Sequence, residues 1–384
     1  MTKRGTGLGL SRELDGILVV SLEQAVAAPY CGLLLANSGA RVIKVERPDG
    51  DFARGYDSGA DGQSVIFGWL NRGKQSVCLD LKQAPDMELM RALLERADIF
   101  VSNLAPGAVA RMGLDHASLG AANPGLISCT VTGYGEDGTA AKKKAYDFLV
   151  QAESGICSVT GSPQAPARVG VPLTDLSTGL TAYSAILRAL IQRGRTGQGT
   201  SLHVSMFDVM ADWMNMPLLA HRYMGGGPAR SGLQHSFIAP YGAFTCKDGA
   251  QVLLSVQSNR EWEVFCKDVL GQPELTDDPR FRDNTDRFAN RQELDAIVNT
   301  IFAKDDAATV IARLDEARIA NAALNSVADL SVHPFLRNSE ADFGGVDISM
   351  AGLPVPDSGG EPHVVPALGE HTSAIRREFA KGEP

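Results

Sequence analysis

The chain has 384 residues, 44% hydrophobic and 21% charged; the length favours two or three packed cores, and the composition excludes a disordered or fibrous chain. A formal net charge of -9 excludes a general nucleic-acid binder, which needs a basic surface for phosphates, although local basic pockets stay open. Cys31, Cys78, Cys129, Cys157, Cys246 and Cys266 form no close CxxC pair and the histidines never fall at HExxH spacing, so no disulfide framework and no metal site are expected.

Residues 1–12 lack an apolar signal core and read as a loose arm. No run of about 18 apolar residues occurs, so no membrane span is expected, and the reading is a cytoplasmic protein with reduced thiols. The first predicted element is a strand over Gly16–Leu22 (GILVVSL), whose continuous apolar run suits a strand covered on both faces. A helix over Ala27–Ser38 stops at Gly39, and a strand follows at Arg41–Glu46 (RVIKVE). The alternation continues with a strand from Ser76, a helix over Asp86–Arg96, a strand from Asp98, a helix from Gly107 and a strand from Leu126. Such repetition predicts an α/β, doubly wound, Rossmann-like parallel sheet. The turn after the first strand reads LEQAVAAP in place of GxGxxG, so no dinucleotide is expected.

Apolar residues at Leu176, Leu180, Tyr183, Leu187 and Leu190 predict a helix with a buried stripe, and Asp175 stands just before it. SLHVSM then reads as a strand leading into a helix through Trp213. The glycine-rich MGGGPARSG, Met224–Gly232, marks a boundary. Beyond it PYGAFTCKDGAQVLLSV reads as a hairpin turning at Lys247-Asp248-Gly249, with helical stretches at Asn259–Leu270 and Asn290–Ala317, together a smaller α+β domain. The tail from Asn338 reads as a wrap over a surface that need not form a core. The expected domains are 1–225, large and α/β; 226–332, small and α+β; and 333–384, a return segment on the large domain.

In VPLTDLSTGL, a carboxylate at a helix N-terminus meets aligned N–H groups that favour its ionised form. Asp175 is therefore expected to cap the helix with a lowered pKa, and the small residues Ser177, Thr178 and Gly179 to admit another chain or a ligand. KKKAYDFLVQAESG sets Lys142, Lys143 and Lys144 before Tyr146, Asp147, Gln151 and Glu153. NRGKQSVCLD places Arg72 and Lys74 just before a strand, and NLAPGAVARMG places Asn103 at a strand end with Arg111 one helix later. Strand ends are where open α/β sheets bind ligands. No GxSxG elbow and no P-loop occurs.

Taken in order, VSLEQAVAAPYCGLLLANSGARVIKVERPDGD, LNRGKQSVCLDLK, NLAPGAVARMGL, KAYDFLVQAESGICSVTG and RTGQGTSLHVSMFD resemble the class III CoA-transferase family, also called the CaiB/BaiF or formyl-CoA transferase family. IAPYGAFTCKDG and DDPRFRDNTDRFANRQEL resemble its small domain. The resemblance implies that Asp175 is a covalent nucleophile and that coenzyme A or acyl-CoA is a substrate, with no tightly bound cofactor. The implied CoA contacts are Arg47, Lys74, Asn103, Arg111, Met112, Lys144 and Tyr146. It also implies an interlocked homodimer. Related racemases carry a histidine where Tyr146 stands here, which favours transfer over racemisation.

The wording is most similar to a subgroup acting on short branched dicarboxylates, including mesaconyl-CoA C1–C4 CoA-transferases, which act as isomerases. For a second carboxylate the cationic candidates are Arg168, Arg222, Arg230 and His235. The alternatives are succinyl-CoA-dependent transfer to an acid such as itaconate, malate or citramalate, a racemase-like isomerase, and a non-catalytic acyl-CoA binding protein.

Overall fold

The computed structural model describes residues 12–136, 138–227, 229–355 and 363–380. The expected N-terminal arm lies, but for Arg12, outside the described residues. The chain divides into two units. The first holds Met1–Ile156, Val169–Met216 and Arg337–Pro384, and the second Cys157–Arg168 and Pro217–Leu336.

The sheet of the first unit contains β1 (Leu18–Leu22), β2 (Arg41–Glu46), β3 (Gln75–Cys78), β4 (Ile99–Ser102), β5 (Ile127–Thr132) and β6 (Thr200–Ser205). Every neighbouring pair is parallel, in the order β3-β2-β1-β4-β5-β6. This is the doubly wound order with its switch point between β1 and β4. Side chains alternate between two buried faces. Val19, Val42, Ile99, Val101 and Cys129 pack beneath the helices Ala27–Asn37 and Leu173–Thr196. Val20, Ile43, Val45 and Phe100 pack on the other face with the helix Ala84–Arg96. Burial on both faces is why the strands read as unbroken apolar runs.

The second unit carries β7 (Tyr241–Thr245), β8 (Gln251–Ser255) and β9 (Ala320–Ala323), all antiparallel. Gly249, at a φ of 79°, turns the β7–β8 hairpin. The helical reading of 259–270 resolves into an α-helix over Asn259–Val264, with a Ser258/Glu261 capping box, and a π-turn over Phe265–Val269. The stretch 290–317 is two helices, Arg291–Phe302 and Ala307–Glu316, because Asp306 caps a new start at Thr309 N–H. Residues 157–168 join this unit through Gly232 N–H to Gly161 O and through Arg230, which donates to the carbonyls of Ser158, Ser162 and Pro163.

The tail departs from expectation. It forms a hairpin of β10 (Asn338–Phe343) and β11 (Val346–Ala351), with β12 (His363–Val364) parallel to β10. Ala341, Phe343, Ile348 and Val365 close a core of their own around Phe67. Alternation along 338–351 is the strand signal that the nearby glycines and prolines obscured. The helix Thr372–Phe379 then docks by Arg41 to Glu378 (2.6 Å) and by Ser76 N–H to His371 Nδ1 (3.3 Å).

Candidate active site

The long helix begins at Leu173, two residues before Asp175, and its N-cap is Pro172. Asp175 is therefore in the first turn and is not the cap. The N–H groups expected to serve it are taken by Asp147, whose Oδ1 accepts from Thr174 N at 2.8 Å and Asp175 N at 3.3 Å. Asp147 Oδ2 in turn accepts from Gln151 Nε2 at 2.8 Å. A helix N-terminus answered by one carboxylate offers little to a second. The Asp175 pKa is accordingly raised to about 7, the opposite of the expected direction, by loss of water first and by the Asp147 charge second.

Ser177, Thr178 and Gly179 serve a helix crossing. A Cβ on Gly179 would stand 2.4 Å from Ala27 O and 3.1 Å from Tyr30 Cβ, so the helix Ala27–Asn37 lies against this face. The Ser177 and Thr178 hydroxyls donate back to Thr174 O at 3.1 and 2.6 Å. The crossing is tight enough that position 179 admits no side chain.

Tyr56, which the sequence reading missed, belongs to the same neighbourhood. Its phenol is pushed up to about 12 by burial and then by the charges of Asp51, Asp175 and Tyr146, so it is a neutral O–H at working pH. The turn before it is set by Asp51, whose Oδ1 accepts from Ala53 N (3.0 Å) and Ala25 N (3.1 Å) and whose Oδ2 accepts from Lys44 Nζ (2.8 Å). Ala25 is held at a φ of 65°, a strained conformation that the Asp51 contact supports. At the switch point Asn103 pairs with Gln24, donating to its carbonyl at 2.8 Å and accepting from its N–H at 3.0 Å.

Of the expected CoA contacts, Arg47, Arg111, Lys144 and Tyr146 are exposed and Met112 is half-buried. Arg47 reaches Asp49 at 3.5 Å and Arg111 reaches Pro106 O at 3.5 Å. Lys74 stands apart. It is buried, and its Nζ donates to Glu23 Oε1 (2.5 Å), Pro29 O (2.9 Å) and Asn71 Oδ1 (3.1 Å). Burial lowers its pKa to about 8. Lys44, 3.6 Å from Glu23, is held above its ordinary value because Glu23, Asp51 and Glu46 outweigh the burial. Gly32 makes room for this cluster, since a Cβ there would meet Glu23 Oε2 at 2.6 Å.

Removing Lys74 as Lys74→Ala is thus expected to cost about 3–5 kcal/mol, because buried Glu23 loses its hydrogen-bonded cation and keeps only Lys44, at 3.6 Å. Urea denaturation checks this. A lysine whose role was to reach a solvated phosphate would leave stability nearly unchanged.

Arg168, Arg222, Arg230 and His235 all belong to the second unit. Arg230 has donors engaged by three carbonyls. His235 Nδ1 accepts from the N–H groups of Phe237 and Ile238, and its ring stacks on Tyr241 at 4.8 Å. Burial lowers its pKa, assisted by Arg291, so it is neutral and ill suited to hold an anion. Arg222 is exposed on the helix Asn215–Tyr223. In the first unit, a cavity of about 350 Å³ lined by Phe100, Leu104, Asp115, His116, Thr132 and Glu136 opens on the sheet face opposite the Asp175 helix.

A first-turn carboxylate raised toward neutrality near a neutral phenol is the kind of perturbed group that marks a candidate functional site. The comparisons agree in kind. The family model described as CoA-transferase family III matches residues 14–372. The chain is 37% identical over 378 residues to an acetyl-CoA:oxalate CoA-transferase of Acetobacter aceti, covering 96% of each chain. It is 34% identical over 382 residues to a succinyl-CoA:glutarate CoA-transferase of Mus musculus, covering 96% of this chain and 87% of the relative. To a succinyl-CoA:mesaconate CoA-transferase of Haloarcula hispanica it is 32% identical over 391 residues, covering 96% and 97%. The crystal structure of a CaiB/BaiF family protein from Brucella suis is similar at a TM-score of 0.81 and 33% identity, covering 96% of this chain and 99% of the other. With the fold, the family model and full-length relatives in agreement, this chain belongs to CoA-transferase family III and is a class III CoA-transferase.

Proposed function

We propose that this enzyme moves coenzyme A between carboxylates of short dicarboxylic acids, with the Asp175 side chain as the covalent carrier. The observation that carries the reading is the isolation of that carboxylate. It is part-buried and beside Asp147, and its oxygens accept no hydrogen bond among the described residues. A carboxylate destabilised by lost water and a like charge gains when it becomes a neutral acyl group. Raising the pKa from 3.8 to about 7 corresponds to roughly 4 kcal/mol favouring the uncharged form.

In the first step ionised Asp175 attacks the thioester carbonyl of the donor, forming a mixed anhydride and expelling CoA thiolate. The thiolate attacks the aspartyl carbonyl, giving an aspartyl-CoA thioester and releasing the donor acid as carboxylate. An incoming carboxylate attacks that thioester to form a second anhydride, and the expelled thiolate attacks the acceptor acyl carbon. The products are the new acyl-CoA and free Asp175. Splitting the exchange this way replaces a displacement between two anions by activated acyl transfers. The neutral Tyr56 O–H, which feels the Asp175 charge, is the candidate donor to a developing oxyanion.

Relatives named for oxalate, glutarate and mesaconate support a dicarboxylate as acid, and the sequence wording supports the narrower reading of intramolecular C1–C4 transfer on mesaconyl-CoA. In this reading the enzyme is a cytoplasmic homodimer, and acyl-CoA is a dissociable substrate. Incubation with a panel of acyl-CoA donors and di- and monocarboxylate acceptors, read by mass spectrometry, tests it. Exchange confined to monocarboxylates would overturn the substrate class, and solvent deuterium entering the acyl α-position would favour a racemase-like isomerase.

Only ionised Asp175 is nucleophilic, so kcat/KM for the acyl-CoA is expected to rise with pH and level off above about 7. Asp147→Asn removes one of the two causes of the raised pKa and keeps an oxygen for the helix N–H groups. Its pH–rate profile should therefore inflect at lower pH than that of the wild type. An inflection unmoved by the substitution would assign it to another group.

A further inference from the structure

Four cationic side chains of the described residues are buried: Lys44, Arg72, Lys74 and Arg287. Three are held by several partners each, Arg287 by neutral ones. Lys44 and Lys74 are paired with Asp51 and Glu23, and Arg287 donates to Ala239 O, Phe281 O and Asn259 Oδ1. Arg72 is the exception. It closes the helix Val65–Asn71 and is 2% exposed, yet its one side-chain hydrogen bond among the described residues goes to Trp69 O. No carboxylate among them is within ion-pair distance. Burial pulls its pKa down to about 10, opposed only by the Tyr30 phenol.

A buried guanidinium without an anion is costly to keep unless an anion arrives, and its planar fork matches a carboxylate bidentately. Its surroundings lead toward Asp175. Tyr30 feels the Arg72 charge, and its ring lies 6.2 Å from that of Trp69. Tyr30 also packs on Gly179, four residues beyond Asp175 and so on the same face of the helix. Residues 30, 72 and 175 all belong to the first unit.

We propose that Arg72, with Tyr30 beside it, receives the distal carboxylate of a dicarboxylate whose other end reacts at Asp175. The proposal rests on the transferase reading above and supplies its specificity-determining residue. A free acid small enough to enter suits a guanidinium this enclosed better than a solvated phosphate of CoA, and Arg47, Arg111 and Lys144 are exposed for that task.

The test separates binding from chemistry. In Asp175→Asn, where no acyl group can be carried, mesaconate, succinate and oxalate are expected to raise the melting temperature while crotonate and butyrate do not. Adding Arg72→Met to that background should abolish the rise, and Arg72→Lys should keep part of it. In the otherwise wild-type enzyme, Arg72→Met should lower the preference for dicarboxylate over monocarboxylate acceptors, measured as a kcat/KM ratio, by about 10²–10³-fold. An unchanged ratio, or dicarboxylate stabilisation that survives Arg72→Met, overturns the assignment. Dicarboxylate stabilisation lost with Arg72→Met in a protein that transfers CoA to no acid would uphold this site and refute the transferase reading instead.

Discussion

Asp175→Ala is expected to abolish CoA transfer, with initial rates lower by about 10⁴-fold or more, because the substitution removes the carboxyl group whose oxygen carries the acyl group and whose carbon then carries CoA in the proposed mechanism. The folded protein should remain. Alanine is a good helix residue, and Asp175 contributes only its backbone N–H to the Asp147 bridge. Wild-type enzyme given a donor acyl-CoA and then hydroxylamine should yield a hydroxamate on the peptide containing Asp175, found by mass spectrometry after digestion. Full activity in Asp175→Ala would end the covalent reading.

The second large effect concerns stability and has the opposite sign. Folding raises the Asp175 pKa from 3.8 to about 7, so between about pH 4 and pH 7 the native state holds a proton that the unfolded chain releases. Stability contributed by this group therefore falls as pH rises through that window, and the penalty is complete above 7. It amounts to roughly 4 kcal/mol. Asp175→Asn cannot ionise and escapes it. Denaturation in urea should find the variant more stable than the wild type at pH 8, with the two converging near pH 4. A wild type as stable as the variant at pH 8 would show that Asp175 is not held against ionisation. In the proposed mechanism the same free energy that burdens the fold favours acylation of Asp175.

The parallel sheet was legible in the sequence because each strand, buried on both faces, reads as a run such as LVVSL or RVIKVE. Gly39, at a φ of 96°, stands just past the first helix, as expected. The family motifs likewise pointed to Asp175. Tyr56 left no periodic signal, being a turn residue whose role depends on Asp51 fixing the chain on either side. The strands of the tail were hidden by its glycines and prolines.

What the sequence determined by itself was therefore local order and chemical inventory: strands, helix stops and the presence of an aspartate at the start of a long helix. Only the tertiary structure decided the electrostatic state of each charge. Asp147 reaches Thr174 across 27 residues and takes the N–H groups that would have lowered the Asp175 pKa. Lys74 reaches Glu23 across 51 residues and is enclosed with it, while Arg72, two positions away, is enclosed with no acid at ion-pair distance among the described residues. The physical reason is that the energy of a charge depends on which partners and how much water remain around it. Both are set by contacts between residues far apart in the chain.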